Sequence, residues 1–175
     1  MSGHNKWSKI KNRKAVTDAQ KSKVFTKVVR LLTVEAKKAK GDMNAPGLIT
    51  AIAKAREANM PNDNIERAVK KAGAEPANME SIVYEAYGPG GCAMVIDALT
   101  DNRNKAAQEI KHILSLHETE LAGMGAATWA FKKTHEGWEP QTTVPLSDQE
   151  GEKLNTLVEA LEECDEVQSV YTNAE

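Results

Sequence analysis

The sequence predicts an α+β protein in which an all-helical region precedes a region of alternating strands and helices. The spacing of apolar residues carries this prediction, because it follows a helical period in the first 74 residues and a period of 2 in segments beyond them. Charge divides at nearly the same place. Residues 1–80 contain 17 Lys and Arg against 8 Asp and Glu, whereas residues 81–175 contain 6 against 17. We therefore expect a basic helical domain over residues 1–76 and an acidic α+β domain over residues 77–175.

Three helices are predicted in the first region. The first covers residues 17–40 and begins with a capping box, in which Thr17 is followed three residues later by Gln20. The second covers residues 46–59, where Pro61 follows, and the third covers residues 62–71. Short connections between them indicate a small helical bundle.

Strands and amphipathic helices alternate in the second region. Strands are predicted at residues 82–87, 92–99, 126–131, 142–145 and 167–171. The glycine-rich run at 88–91 reads as a tight hairpin turn, because it lies between two strands and lacks the helix that a phosphate-binding loop requires.

Two helices supply the apolar stripes that would cover this sheet, and the second begins with a capping box at Ser147 and Glu150. The stripe residues are Ala106, Ile110, Ile113 and Leu114 in one helix and Leu154, Leu157, Val158 and Leu161 in the other. Helices on one face of a mostly antiparallel sheet predict a ferredoxin-like α/β sandwich.

Bulk composition restricts the classes of protein that the chain can be. With 41% apolar and 27% charged residues it is typical of a globular protein. Cys92 and Cys164 form no CxxC pair, which argues against a zinc site or a disulfide scaffold and favours a reducing compartment. No run approaches the length of a membrane span, and the N-terminus lacks a signal sequence. We expect a cytoplasmic protein with no membrane role.

No residue pattern indicates catalysis or a cofactor. His112 and His117 are five residues apart, which is off the spacing that would put both on one helix face as metal ligands. No serine, histidine and aspartate arrangement and no carboxylate pair stands out. We expect a protein that is not an enzyme and that binds neither metal nor cofactor.

The cations of the first 40 residues are the candidate binding groups. Lys23, Lys27 and Arg30 recur at i, i+4 and i+7, where like charges repel by roughly 0.2–0.5 kcal/mol per pair. A merely solvated helix face normally mixes both signs, so phosphate binding is the favoured interpretation. Val34 falls among these cations and is the flaw in the pattern.

Two further groups of residues are weaker candidates. In the arm before Thr17, Trp7 would either stack on an unpaired base or fold back onto the bundle, and the sequence leaves both open. Arg103 and Lys105 lie in the first turn of a helix, where Asp101 is an adequate local partner and nucleic-acid contact is the minority interpretation. The candidate nucleic-acid-binding residues are Lys6, Trp7, Lys9, Lys11, Arg13, Lys14, Lys21, Lys23, Lys27, Arg30, Lys37, Arg103 and Lys105.

Four stretches in order resemble the YebC/TACO1 family of bacterial and mitochondrial gene-expression factors. They are GHNKWSKIKNRK at 3–14 with FTK at 25–27, NMPNDNIER at 59–67, YEAYGPGG at 84–91 with TDNRN at 100–104, and VQSVYTNA at 167–174. The family usually carries a further α/β domain after the strand at 126–131, whereas here only residues 132–139 join that strand to the segment at 140–146. The chain therefore resembles a short member that lacks the inserted domain near 132–140. The run HETE at 117–120 also stands where the family tends to have a glycine-rich turn.

The resemblance implies a non-enzymatic regulator, either a DNA-binding transcriptional regulator or a ribosome-associated translation factor that assists synthesis through proline-rich stretches. We favour ribosomal RNA over promoter DNA, because the basic helix offers few Asn, Gln or Arg side chains for reading base edges. A protein-interaction adaptor acting through the acidic domain is the third alternative.

Overall fold

The computed structural model describes residues 18–74 and 79–175, with side chains of the first helix described from residue 22. Three helices come first, as predicted: α1 (Asp18–Ala39), α2 (Pro46–Glu57) and α3 (Asn62–Ala74). The elements that follow are β1 (Glu80–Tyr87), β2 (Ala93–Thr100), α4 (Arg103–Leu116), β3 (Leu121–Ala122), β4 (Phe131–Thr134), β5 (Gly137–Pro140), α5 (Asp148–Glu163) and β6 (Val167–Thr172). The α+β class and the helices-first order are confirmed.

The helical region packs around one stripe of α1. Val28, Leu32 and Ala36 of α1 are buried in one apolar cluster with Leu48 of α2 and Ile65 of α3. Their spacing of four residues places the α1 side chains on one face of the helix, which is why this face turns inward.

The connection between α2 and α3 is a tight helix ending. The backbone N–H of Met60 donates to the carbonyl of Ala55 and that of Asn59 to Arg56, while Asn59 adopts φ 58°. Asparagine tolerates this left-handed conformation better than most residues, and the two bonds satisfy carbonyls that the helix end leaves open. Pro61 directly precedes α3, and as a proline it prevents α2 from continuing into α3.

The four-stranded sheet has the order β3-β1-β2-β6. Pairs β1–β3 and β2–β6 are antiparallel. A single 3₁₀ turn at Pro89–Gly91 links β1 directly to β2, with φ 69° at Gly90 and 74° at Gly91, values that suit glycine. The turn between the two strands is thus present as predicted, and the elements of the four-stranded sheet and its helices follow the order β1-β2-α4-β3-α5-β6 along the chain.

Helices α4 and α5 cover one face of this sheet. Met94 and Ile96 of β2 pack with Ile110 of α4 and with Leu154 and Leu157 of α5 in one buried cluster. The predicted capping box is confirmed: the backbone N–H of Glu150 donates to Ser147 Oγ at 3.3 Å and that of Ser147 to Glu150 Oε2 at 2.8 Å.

A β4–β5 hairpin covers part of the opposite face, and it was not among the predicted strands. Phe131 and Trp138 of the hairpin pack against Ala93 and Val95 of β2. The Trp138 indole N–H donates to the Asp97 carboxylate at 3.1 Å.

Two predicted strands differ from the structure. The predicted strand at 126–131 is wrong over most of its length: a 3₁₀ turn occupies Thr128–Ala130, and β4 begins only at Phe131. The reason is that Glu85 accepts the N–H groups of Ala127 and Thr128, which removes them from any ladder. The predicted strand at 142–145 is reduced to one parallel bridge between Val144 and Ala174.

Two compact units make up the described chain. The helical unit contains the described residues up to Ser81 together with Leu99–Arg103, and the α/β unit contains residues 82–98 and 104–175. The expected boundary between residues 76 and 77 stays a prediction. Within residues 18–74 and 79–175, no helix combines the length and apolarity needed to span a bilayer.

Candidate nucleic-acid interface

The helical unit carries a surplus of positive charge. Residues 18–74 contain 12 Lys and Arg against 6 Asp and Glu. On α1, the side chain of Lys23 is exposed, and those of Lys27, Arg30 and Lys37 are partly exposed. Helical spacing places these four residues on one side of α1, away from the stripe that contains Leu32.

This basic side of α1 is not uniformly open to solvent. The Arg30 guanidinium donates a hydrogen bond to the backbone carbonyl of Leu99, at 3.2 Å, within the helical unit. Val34, which looks misplaced among the cations in the sequence, is only 5% exposed. Lys23 is therefore the most exposed of these four cations, while Arg30 also stabilises the local structure through its hydrogen bond to Leu99.

Arg103 and Lys105 have carboxylate partners within the chain. Arg103 Nη2 lies 2.9 Å from Glu80 Oε2, and both side chains are largely exposed. Lys105 Nζ lies 3.2 Å from Glu166 Oε1 and 3.8 Å from Glu109 Oε1. Because Glu166 is only 1% exposed, its charge would be costly without a cation beside it. Lys105 therefore has a structural role, and its nucleic-acid contact stays a prediction.

The N-terminal candidates lie outside the described residues. These are Lys6, Trp7, Lys9, Lys11, Arg13 and Lys14. Lys21 belongs to α1, but its side chain is likewise outside the described part. Their assignment to nucleic-acid binding rests on the sequence.

Sequence reasoning gave no weight to two groups of exposed residues. The first is the basic set on α2 and α3, whose exposed members are Lys54, Arg56, Arg67, Lys70 and Lys71. Their only signal in the sequence is the charge count of residues 1–80. The second is an aromatic surface around Trp129, which has no short-range signal because its members come from separate elements.

The two described cysteines are held as neutral thiols. Burial is the main reason that the pKa of Cys92 rises to about 11, and the nearby Glu150 carboxylate adds to the increase. Burial also raises the pKa of Cys164, whose sulfur donates to the Glu109 carboxylate at 3.4 Å. Thiolate is the form that ligates metals and attacks electrophiles, so both sulfurs are poorly suited to either role. Among the described residues, no three His, Cys, Asp or Glu side chains come together in a possible metal site.

Fold and charge thus define an α+β protein with a basic helical unit preceding an acidic α/β unit. Residues 5–75 match the family model described as the TACO1/YebC protein N-terminal domain. Residues 79–136 and 133–174 match the model of the TACO1/YebC second and third domain. The chain belongs to the TACO1/YebC family, and the resemblance found in its four sequence stretches is confirmed.

Individual relatives agree with this assignment. A protein of Pseudothermotoga lettingae is 38% identical over 238 aligned positions, covering 100% of this chain and 94% of the relative. One of Petrotoga mobilis is 48% identical over 136 residues, covering 76% of this chain and 54% of the relative. Both bear the name "Probable transcriptional regulatory protein". A crystal structure of a conserved hypothetical protein from Aquifex aeolicus superposes with a TM-score of 0.85 at 29% identity, covering 98% of this chain and 97% of the other.

Proposed function

We propose that this protein is a non-enzymatic, nucleic-acid-binding regulator of gene expression that acts on the ribosome, where its helical unit contacts ribosomal RNA. On this proposal it works in the cytoplasm and assists synthesis through difficult stretches such as proline runs. The observation that carries the proposal is the basic side of α1, where Lys23 and Lys27 stand one turn apart and repel each other. A surplus of cations on one helix face favours contact with an external polyanion.

The side chains of α1 favour RNA over promoter DNA. Among the described side chains of α1, Arg30 is the only Arg, Asn or Gln, the types that best read base edges in a major groove. Its guanidinium already donates to the Leu99 carbonyl. The lysines supply charge without a fixed donor pattern, which suits phosphate contacts on a structured RNA that is recognised by its shape.

The short connection at the β4–β5 hairpin supports the expectation of a member without the inserted domain. The match to the second and third domain falls in two pieces that overlap at residues 133–136, inside this hairpin. The alignment with the Pseudothermotoga lettingae protein spans 238 positions against 175 residues here, so that relative contains residues with no counterpart in this chain. A regulator of this form would act with the helical and α/β units alone.

Crosslinking in growing cells, followed by sequencing of the recovered RNA and DNA, tests the proposal. The variant is Lys23→Glu with Lys27→Glu, which leaves Arg30 and its backbone contact intact. The matched control is Lys111→Glu with Lys153→Glu, two exposed lysines of the acidic unit. We expect enrichment at a discrete site in ribosomal RNA that the α1 variant loses and the control retains. Enrichment at a few promoters without ribosomal RNA would contradict the proposal.

The names of the relatives support a second candidate, a DNA-binding transcriptional regulator. Such a protein should bind one duplex sequence at least about a thousandfold more tightly than random duplex. A ribosome factor should instead show little duplex preference and should co-sediment with ribosomes. Binding measurements at fixed salt concentration separate the two candidates, because phosphate contacts alone make affinity depend strongly on salt.

A further inference from the structure

An aromatic surface on the α/β unit has no role in the function proposed above. It consists of Tyr87 at the end of β1 and Trp129 in the 3₁₀ turn, whose side chains lie within hydrogen-bond distance, and we name it the Trp129 surface. Trp129 is 61% exposed and Tyr87 is 40% exposed. Large apolar side chains grouped on a surface in this way are typical of binding sites.

The loop that presents this surface is tied down by one buried carboxylate. Glu85 accepts the backbone N–H groups of Gly125 at 2.7 Å, Ala127 at 2.7 Å and Thr128 at 2.8 Å. Burial by itself raises the pKa of Glu85, but these donors outweigh burial and hold the pKa below its usual value. The carboxylate therefore stays charged near neutral pH and fixes the loop to β1.

The polar edges of both rings are satisfied within the protein. The Trp129 indole N–H donates to the Ala126 carbonyl at 2.9 Å and lies 3.0 Å from the Tyr87 hydroxyl oxygen. The Tyr87 hydroxyl donates to the same Ala126 carbonyl. With its edge engaged, Trp129 offers a partner mainly its exposed ring face. A ring held in one orientation also loses little rotamer freedom when a partner binds.

Local charge near this surface differs from that of the rest of the unit. Residues 79–175 contain 6 Lys and Arg against 18 Asp and Glu, whereas residues 121–134 contain Lys132 and Lys133 and no acidic residue. Lys133 lies over the ring of Trp138, 5.2 Å from its centroid, and Lys132 is exposed on β4. The segment that carries Trp129 thus has a local positive charge, which is compatible with a phosphate backbone.

We propose that the Trp129 surface stacks on an unpaired base of single-stranded RNA. This inference rests on the proposed function in one respect, that the natural ligand is RNA. Stacking fits the geometry because every base has a π face, so recognition needs no free hydrogen-bonding edge on Trp129. The contact is accordingly tolerant of sequence and specific for unpaired nucleotides.

Fluorescence anisotropy with the full chain tests this inference, using an unstructured RNA of about 12 nucleotides and an RNA duplex of the same length. We expect Trp129→Ala to weaken binding of the single strand about 5- to 100-fold and to leave duplex binding unchanged. Trp129→Phe keeps an aromatic face but lacks the indole N–H, and it should restore most of the affinity. Leu116→Ala, which removes an exposed apolar side chain of the same unit, is the matched control and should have no effect.

The outcomes separate this inference from the proposed function. The Lys23→Glu, Lys27→Glu variant should weaken binding of both RNAs and lower the salt dependence, whereas Trp129→Ala should leave the salt dependence unchanged. If the unsubstituted protein binds neither RNA, this inference is overturned, whereas the proposed function is decided separately by the crosslinking to ribosomal RNA. If RNA binds normally and Trp129→Ala has no effect, only this inference is overturned. Binding of an oligoproline peptide that Trp129→Ala abolishes would also overturn it, because the surface would then be a peptide site.

Discussion

The helical unit and the α/β unit carry opposite net charges. In the helical unit, positive residues outnumber negative ones by two to one over residues 18–74. In the α/β unit, a buried carboxylate such as Glu85 or Glu166 is matched by named donors a few ångströms away. The net positive charge of the first unit favours an external anion, whereas the net negative charge of the second does not.

Their cores differ as well. The α/β unit buries Met94, Ile96, Ile110, Leu154 and Leu157 completely between its sheet and two helices. The core of the helical unit depends on fewer large side chains and on several alanines, among them Ala51 and Ala55. Small cores stabilise a fold less, so a bound partner contributes proportionally more to the stability of the helical unit.

The largest expected effect comes from the core of the α/β unit. Leu157→Ala should lower the free energy of unfolding by about 3–5 kcal/mol, because it removes a fully buried side chain and leaves a cavity. Urea unfolding followed by circular dichroism measures the change. Val158→Ala, at a half-buried neighbouring position, should cost clearly less. Equal losses at the two positions would contradict the packing described for α5.

A smaller effect is expected for the carboxylate that holds the loop after β3. Glu85→Gln should destabilise the α/β unit by about 2–3 kcal/mol, because an amide cannot satisfy three backbone donors in place of a carboxylate.

The effect of Glu85 should depend on pH. Its pKa in the folded protein lies below the value in the unfolded chain, so its contribution is complete above the unfolded pKa and is lost as pH falls through the folded pKa. The unfolding free energy of the original protein should therefore converge on that of Glu85→Gln in acid. A difference that stays constant down to the lowest pH would contradict this assignment.

The smallest expected change in stability compares Lys105, a cation that stabilises the fold, with Lys23, a cation that we propose binds RNA. Lys105→Met should lower the unfolding free energy by about 1–2 kcal/mol, a value discounted for the partial exposure of Lys105, because Glu166 loses a neighbouring cation. Lys23→Met is the matched comparison, and it should lower stability less and weaken RNA binding more than Lys105→Met. A loss of RNA affinity in Lys105→Met without a loss of stability would reverse the roles given to these two residues.

Sequence reasoning located the helices because their signals are short-range. One such signal is the capping box of Ser147 and Glu150, and another is the apolar stripe of Leu154, Leu157 and Leu161. Each depends on residues three or four positions apart, and the structure contains both. The hairpin β4–β5 was missed because each strand has only four residues, too few to establish a period. Residues 126–130 were assigned to a strand because nothing nearby in the sequence reveals that Glu85 takes their N–H groups.

The candidate site shows the same division. Sequence alone determined the helices-first order, the separation of charge and the row of cations on α1, since helical period and composition are local properties of the chain. Tertiary structure decided which cations serve the fold, through Arg30 with Leu99 and Lys105 with Glu166. It also assembled the Trp129 surface, where Glu85 binds residues 40–43 positions away. Contacts at such separations depend on how the sheet and its loops pack, and a short-range pattern carries no record of them.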